Sequence, residues 1–298
     1  MQNVKAVSDS GGGADKVIKY LENGQKLCMS PDGSVYVSGY YAEATAPSEW
    51  HGNLAEELGL SGPVETADLE AMLTGETPSG ETFARRQGGR SRRMGNDITI
   101  SAPKSVSILA LAVGDESVTA AHDRAVAKSL EYLEREVMSA RYGRGGAHSE
   151  KTNSAAIAAY RHEDARPVND LSDPDLHTHA IAINVTTDEA GNYRASDLDF
   201  GSHSIRMHIG DYIYKAELAK ELESLGYQTR RTKNGFELAD ISDEQIASFS
   251  RRGKQVMDDL AKNAAMTGVD NPSRAEIQKS VLYTRAAKGD LGRDELHA

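Results

Sequence analysis

His177 and His179 stand one residue apart in the run Asp173-Pro174-Asp175-Leu176-His177-Thr178-His179. Residues two apart on a strand project to one face, so both imidazoles can reach a single metal ion. His162, at the end of an earlier apolar stretch, offers a third imidazole if its strand neighbours that of His177. Three neutral imidazoles leave coordination positions open for other oxygens, as a catalytic site requires and a closed structural site does not. A His-x-His pair by itself is weak evidence for a metal, since strand histidines are more often hydrogen-bonded core residues. Asp97 is a candidate carboxylate for an imidazole N–H, which would fix the tautomer and strengthen the ligand. A cap or an ion pair is the competing reading for any single aspartate, and Asp175 reads as a turn residue.

The second set of reactive groups is phenolic: Tyr20, and the pair Tyr40-Tyr41 directly after Gly39. A tyrosine oxygen that attacks a phosphodiester keeps the bond energy in a phosphotyrosine, so a later joining step needs no ATP. Each tyrosine taken alone is more often a packed amphipathic aromatic. The formal net charge of −11 argues against nonspecific wrapping of nucleic acid, which rests on Lys and Arg. Charge is nevertheless uneven. From Arg85 to Lys104 the chain carries Arg85, Arg86, Arg90, Arg92, Arg93 and Lys104 against the one carboxylate of Asp97, and Arg230, Arg231 and Lys233 form a second basic cluster. Either is a solvated loop or a local phosphate-facing patch.

These groups need a scaffold to bring them together. Ala14 to Glu22 has a helical pattern that stops at Asn23-Gly24, which puts Tyr20 in the last turn. Lys26 to Gly39 reads as a hairpin or loop around Pro31-Asp32-Gly33, and Gly75 to Arg93, rich in Gly and Arg, as a mobile loop. Asn96 to Ser101 alternates as a strand, with Asp97, Thr99 and Ser101 on one face. Pro103 suits a first helical turn, so a helix begins near Lys104. A longer helix over about 117–139 aligns Val126, Leu130, Leu133 and Val137 on one stripe. Ala155 to His162 and Leu176 to Thr186 read as central strands, with another from Tyr193. A helix over about 204–225 ends at Gly226, before a hairpin through Asn234-Gly235. Capping boxes Ser242 with Gln245 and Ser273 with Glu276 announce two helices near the C-terminus.

Composition bounds the rest. With 298 residues, 39% hydrophobic and 27% charged, the chain can enclose a sizeable core. One cysteine, Cys28, excludes an internal disulfide and any cysteine-based zinc finger, and fits a reducing compartment. No apolar run is long enough to span a bilayer and no secretory leader pattern is present, so the expected location is cytoplasmic. There is no phosphate-binding G-x-x-x-x-G-K-[ST] loop, so no ATP-driven motor is expected within these residues.

Taken together, Tyr20, Tyr40-Tyr41, Ser48-Glu49-Trp50-His51-Gly52, Glu56-Glu57-Leu58-Gly59-Leu60-Ser61-Gly62, the run from Asp97 to Ser107, Arg161-His162-Glu163 and Asp175-Leu176-His177-Thr178-His179-Ala180 form one ordered set. In order and spacing, over nearly the whole chain, it resembles the relaxase domain of TrwC/TraI-like conjugative relaxases, the MobF class of HUH endonucleases. The resemblance implies an α+β HUH fold, a central antiparallel sheet flanked by helices, with C-terminal helices over a DNA channel. It implies one domain over 1–298, of which about 240–298 is a helical segment. The activity it implies is site- and strand-specific nicking of single-stranded DNA at an origin of transfer, through a 5′-phosphotyrosyl intermediate, followed by rejoining, which initiates conjugative plasmid transfer.

Residue by residue, His162, His177 and His179 match the family's metal ligands, and Asp97 matches the carboxylate that supports them and assists proton removal. Tyr20 matches the first tyrosine cluster, used for the initial nick, and Tyr40 and Tyr41 the second, linked to later strand transfer. Leu21 stands where many relatives carry a second tyrosine, and the stretch from Gln25 to Gly39 is longer than the usual spacer. The implied cofactor is a divalent ion, Mg²⁺ or Mn²⁺ in function, with Zn²⁺ or Ni²⁺ also suited to three imidazoles because Mg²⁺ prefers oxygen. Implied partners are single-stranded or hairpin DNA at an origin of transfer, accessory conjugation proteins, and a helicase region in a longer parent chain.

A rolling-circle replication initiator shares this chemistry at a replication origin. A non-catalytic DNA-binding module with structural histidines is a second rival. A small-molecule metal hydrolase explains neither the tyrosines nor the basic run. Arg90, Arg92, Arg93 and Lys104 are the candidate DNA contacts, and they carry a direct test. Neutralising Arg90, Arg92 and Arg93 together is expected to flatten the dependence of log affinity for single-stranded DNA on log salt, because each lost phosphate contact lowers the slope. An unchanged slope would assign the run to a solvated loop.

Overall fold

The computed structural model describes residues 3–8, 13–22, 27–29, 35–37, 46–84, 92–143, 147–165, 168, 172–198, 204–267 and 273–284. In chain order the first elements are β1 (Asn3–Ser8), α1 (Gly13–Glu22), β2 (Leu27–Met29), β3 (Val35–Val37), β4 (Ser48–His51), α2 (Asn53–Glu57) and α3 (Thr66–Thr74). There follow β5 (Arg93–Ser101), α4 (Lys104–Ser107) running into a π-helical turn (Ile108–Ala112), α5 (Glu116–Glu136), β6 (Met138–Tyr142) and β7 (His148–Lys151). Next come β8 (Ile157–Asp164), β9 (Pro174–Ile183), β10 (Thr186–Thr187), β11 (Tyr193–Arg194) and β12 (Ser196–Leu198). The last are α6 (Ser204–Ser224), β13 (Thr229–Thr232), β14 (Gly235–Leu238), α7 (Asp243–Ser248), α8 (Arg251–Thr267) and α9 (Arg274–Tyr283).

A five-stranded sheet in the order β1-β5-β9-β8-β4 organises the molecule, and every pairing in it is antiparallel. Strand β9 lies at its centre and is buried on both faces, so it reads as a nearly continuous apolar run from Ala180 to Ile183 rather than a clean alternation. Two cores follow. Ile98, Ile100, Ile157, Ala159, Leu176, Ala180 and Ala182 face the layer of α5 and α6. Ala158, Tyr160, Ile181 and Ile183 face the layer of α1 and α3, with Val17, Tyr20, Leu21, Leu69 and Leu73.

Most sequence expectations hold, and the departures have local causes. Val126, Leu130, Leu133 and Val137 all lie in the first core. The long helix nevertheless ends at Glu136: Val137 caps it, its N–H still donating to the Leu133 carbonyl, and Met138 starts a strand whose Ser139 pairs with Asp197 of β12. The expected strand to Thr186 breaks after Ile183, where Asn184 donates its backbone N–H to the Met94 carbonyl. Gly75 to Ala84 is an ordered turn and not a mobile loop: Gly75 closes α3 at φ 102°, and its carbonyl accepts from the N–H groups of Phe83 and Ala84. Both capping boxes form. Of the hairpin expected from Lys26 to Gly39, β2 and β3 pair as predicted, while its turn lies outside the described residues.

His122 on α5 lies directly behind the histidine-bearing strand, fully buried, with one ring nitrogen bonded to Thr178 at 2.9 Å and the other to the Tyr214 hydroxyl at 2.7 Å. Burial, reinforced by the positive charge of Arg161 and then by His177, pushes its pKa down to about 3. The unfolded chain therefore takes up this proton near pH 6.5, while the native imidazole stays neutral. Its contribution is fully present above about pH 6.5 and is lost as pH falls toward 3, amounting to about 3 kcal/mol by pH 4. In His122→Gln, the slope of unfolding free energy against pH between 6 and 4 is expected to fall by up to about 1.4 kcal/mol per pH unit. Denaturant unfolding at a series of pH values measures it, and an unchanged slope would mean that this imidazole titrates normally.

Candidate active site

Register places the histidines. On β9, His177 pairs directly with His162 of β8 and with Ser101 of β5, while His179 pairs with Tyr160 and Thr99. With a side-chain period of two, His162, His177 and His179 all face the α1 layer, and Thr178 between them faces His122 on the other side. The ring centroids lie 5.0–5.4 Å apart. One ligand atom from each histidine lies within 4.8 Å of the other two. Three imidazoles sharing an ion at about 2.1 Å stand about 3–3.5 Å apart, so modest ring rotation suffices to close on one.

The surrounding hydrogen bonds prepare the rings for that role. Asp97 lies on β5, diagonal to His179, and its Oδ1 accepts from His179 Nδ1–H at 2.8 Å, which keeps the lone pair on Nε2. His177 Nδ1–H donates to its neighbour's carbonyl, Asp175, at 2.7 Å and likewise keeps the lone pair on Nε2. These donors, with a buried carboxylate behind one ring, fit a divalent cation held by neutral imidazoles. His162 Nε2–H donates to the Leu21 carbonyl at 3.0 Å. That carbonyl is among the last four of α1, which have no partner within the helix. A candidate ligand thereby fastens the end of α1.

Tyr20 sits in that last turn, as its position before Asn23-Gly24 predicts. It is 2% exposed, and its hydroxyl donates to His179 Nε2 at 2.7 Å. Its ring also meets those of His162 and His179 edge-on. Leu21, next in sequence, is fully buried and packs into the α1-side core, so that position points away from the cluster. Tyr40 and Tyr41 lie outside the described residues.

The candidate DNA contacts are scattered in role. Arg93 is exposed at the start of β5, and Arg92 is half-buried with its guanidinium donating to the Leu73 carbonyl. Lys104 donates to the Pro174 carbonyl at 2.5 Å, beside the start of the histidine strand. Arg90 lies outside the described residues. The same end of β9 is held from the C-terminal side: the buried carboxylate of Asp173 accepts from both the backbone N–H and the guanidinium of Arg251, at the start of α8, each at 2.7 Å.

Sequence reasoning missed this clasp and missed His122. The available signal for His122 was a lone imidazole at helical spacing between Val118 and Val126 on an otherwise apolar stripe. For the cluster itself, Asp97→Asn keeps the shape but removes the negative charge behind His179. Affinity for Zn²⁺ or Mn²⁺, measured by calorimetric titration, is expected to fall roughly 10- to 100-fold. Unaltered affinity would make Asp97 a structural partner alone.

Comparison with known proteins agrees with this geometry. The family model described as TrwC relaxase matches residues 14–298. The multifunctional conjugation protein TraI of Escherichia coli is 30% identical over 240 residues, covering 78% of this chain, and TraI of strain K12 is 29% identical over 249. The chain spans 13% of the length of these relatives. Among solved structures, the conjugative relaxase TrwC in complex with OriT DNA, metal-free, aligns with a TM-score of 0.80 at 34% identity, over 99% of this chain and 95% of that one. Its metal-bound counterpart aligns equally well, over 99% and 94%. A copper-bound structure of the same complex gives a TM-score of 0.80 at 35% identity over the same shares. The antiparallel sheet with its His-x-His central strand is thus the α+β HUH fold, and the chain belongs to the TrwC relaxase family.

Proposed function

We propose that this chain nicks one strand of DNA at an origin of transfer by tyrosine transesterification and rejoins the ends, as the initiating enzyme of conjugative transfer. One observation carries the reading: a phenol in the last turn of α1 lies 2.7 Å from a ring of a three-imidazole cluster. His162, His177 and His179 would hold a divalent cation, which when bound supplies polarisation of a phosphate oxygen and a fixed point for the scissile group. The likeness to TrwC bound to OriT DNA supports single-stranded or hairpin DNA as the substrate.

Each residue then has a defined task. Tyr20 supplies the nucleophile: its oxygen forms a bond to phosphorus, the bond to the 3′ oxygen breaks, and that oxygen leaves as a free hydroxyl. The 5′ phosphate stays on Tyr20, and reversal restores the strand. A free phenol loses its proton near pH 10, so a base must take it at neutral pH; Asp97, the carboxylate behind His179, assists that removal, and the leaving 3′ oxygen takes up a proton in turn. Helix α1, held by the His162 bond to Leu21, limits the positions the phenol can take, and such orientation is worth up to about 7–11 kcal/mol of barrier in well-aligned cases. Tyr40 or Tyr41 acts in the later transfer step.

The three-imidazole set suits Zn²⁺, Ni²⁺ or Mn²⁺ in vitro, with Mn²⁺ or Mg²⁺ the working ion in cells. Residues 1–298 act as one relaxase domain, and the helices beyond about residue 240, tied to β9 through Arg251, fold over the DNA channel. The TraI relatives are much longer, which is compatible with a longer parent chain; a helicase region there, accessory conjugation proteins and a cytoplasmic setting complete the proposal. Among the described residues no helix is long and apolar enough to cross a membrane.

The test is covalent trapping on single-stranded oligonucleotides carrying the chain's cognate origin of transfer. Tyr20→Phe keeps the ring and deletes the nucleophile, so adduct on the first strand is expected to drop to background while the fold persists. His177→Ala is expected to abolish cleavage and to retain DNA binding, since phosphate and base contacts lie elsewhere. Undiminished adduct in Tyr20→Phe, with loss in Tyr40→Phe or Tyr41→Phe, would move the nucleophile to the second cluster.

A further inference from the structure

A neutral imidazole nitrogen has a single in-plane lone pair. Asp97 takes the N–H of His179, so the lone pair lies on Nε2, and the hydroxyl of Tyr20 already donates to that same atom at 2.7 Å. A metal ion bound by this ring would need the lone pair too. Both uses cannot hold at once.

We infer that Tyr20 and the divalent cation compete for His179 Nε2, so that loading the three-histidine site releases the phenol from its hydrogen bond and makes it available to the scissile phosphate. The inference rests on the reading of His162, His177 and His179 as ligands. It gives the site two states. In one, the phenol is locked against His179 in a nearly solvent-free setting, 2% exposed, and the cluster is held as two-thirds of a site. In the other, all three imidazoles face the cation and the hydroxyl has lost its acceptor.

Surrounding contacts limit the rearrangement to a small one. His177 keeps its Nε2 lone pair through the Asp175 carbonyl, so its own hydrogen bond does not oppose loading. His162 holds the Leu21 carbonyl through Nε2–H, which anchors the backbone of α1 next to Tyr20. Leu21 is fully buried in the core below. The helix end therefore stays in place, and release falls on the Tyr20 side chain. Linkage makes the effect reciprocal: whatever the phenol contributes to locking the site, the cation loses in apparent affinity.

The experiment is calorimetric titration of the full chain with Zn²⁺, Ni²⁺ and Mn²⁺, for the wild type, Tyr20→Phe and His177→Ala. Tyr20→Phe removes the competing donor and leaves the ring, so it is expected to bind each ion roughly three- to tenfold more tightly, the fold-change of one hydrogen bond of ordinary net strength. Equal or weaker binding by Tyr20→Phe overturns the competition while leaving the metal site intact. If the wild type binds none of the ions, or His177→Ala binds them as well as the wild type, the ligand reading itself fails and the competition with it. A second measurement needs no variant to fold. In the ultraviolet resonance Raman spectrum of the wild type, saturation with Zn²⁺ is expected to shift the intensity ratio of the tyrosine doublet as one phenol ceases to be a strong donor. A doublet unchanged at saturation overturns the proposal.

Discussion

Every feature of the site depends on β9 being paired on both sides in a single register. Because side chains alternate, a slip of one residue would send His177 and His179 into the α5 side and bring Thr178 and Ala180 to face α1. Two cores oppose that slip. On one face Ile181 and Ile183 are buried against α1 and α3, and on the other Leu176, Ala180 and Ala182 are buried against α5 and α6. Reversing them would put imidazoles among aliphatic side chains with no partners for their nitrogens. The hydrogen bond between Thr178 and His122 adds a polar lock on the far face of β9.

The second dependence is on α1. A helix end leaves carbonyl groups without partners, and here one of them is satisfied by a histidine of the cluster. That bond links the helix of Tyr20 to the strand pair that carries the histidines, so the approach of Tyr20 to His179 is set by the fold and not by a loop. It also explains Leu21. The residue after Tyr20 is turned by about 100° around the helix, into the core, where a leucine is fully enclosed and a phenol would lose its partners.

A site built this way concentrates polarity in a thin layer between two hydrophobic ones. Asp97, His162 and His179 are all buried, and each finds a defined partner. Buried polar groups are costly when unpaired, so this network constrains side-chain geometry more tightly than an exposed site could. The clasp between Asp173 and Arg251 extends the constraint to α8, so the C-terminal helices are positioned by the same strand that carries the histidines.

Much of this was legible in the residues. The His-x-His spacing, the alternation around Asp97, the helix stop after Tyr20 and the two capping boxes are local signals, set by strand and helix periods and by the conformational preferences of Asn, Gly, Ser and Glu. Those periods determined which side chains could share a face, and the ordered motifs were specific enough to name the family. Local periodicity could not decide that His162 and His177 are direct cross-strand partners, that α5 ends three residues early to begin a strand, or that His122 closes the far side. Nor could it decide that the Tyr20 hydroxyl would donate to His179 on the nitrogen that Asp97 leaves open. Those outcomes depend on which strands lie side by side and on what is left to satisfy each buried polar atom once the two cores have closed, and only the packed chain brings residues 159 positions apart to within a hydrogen bond.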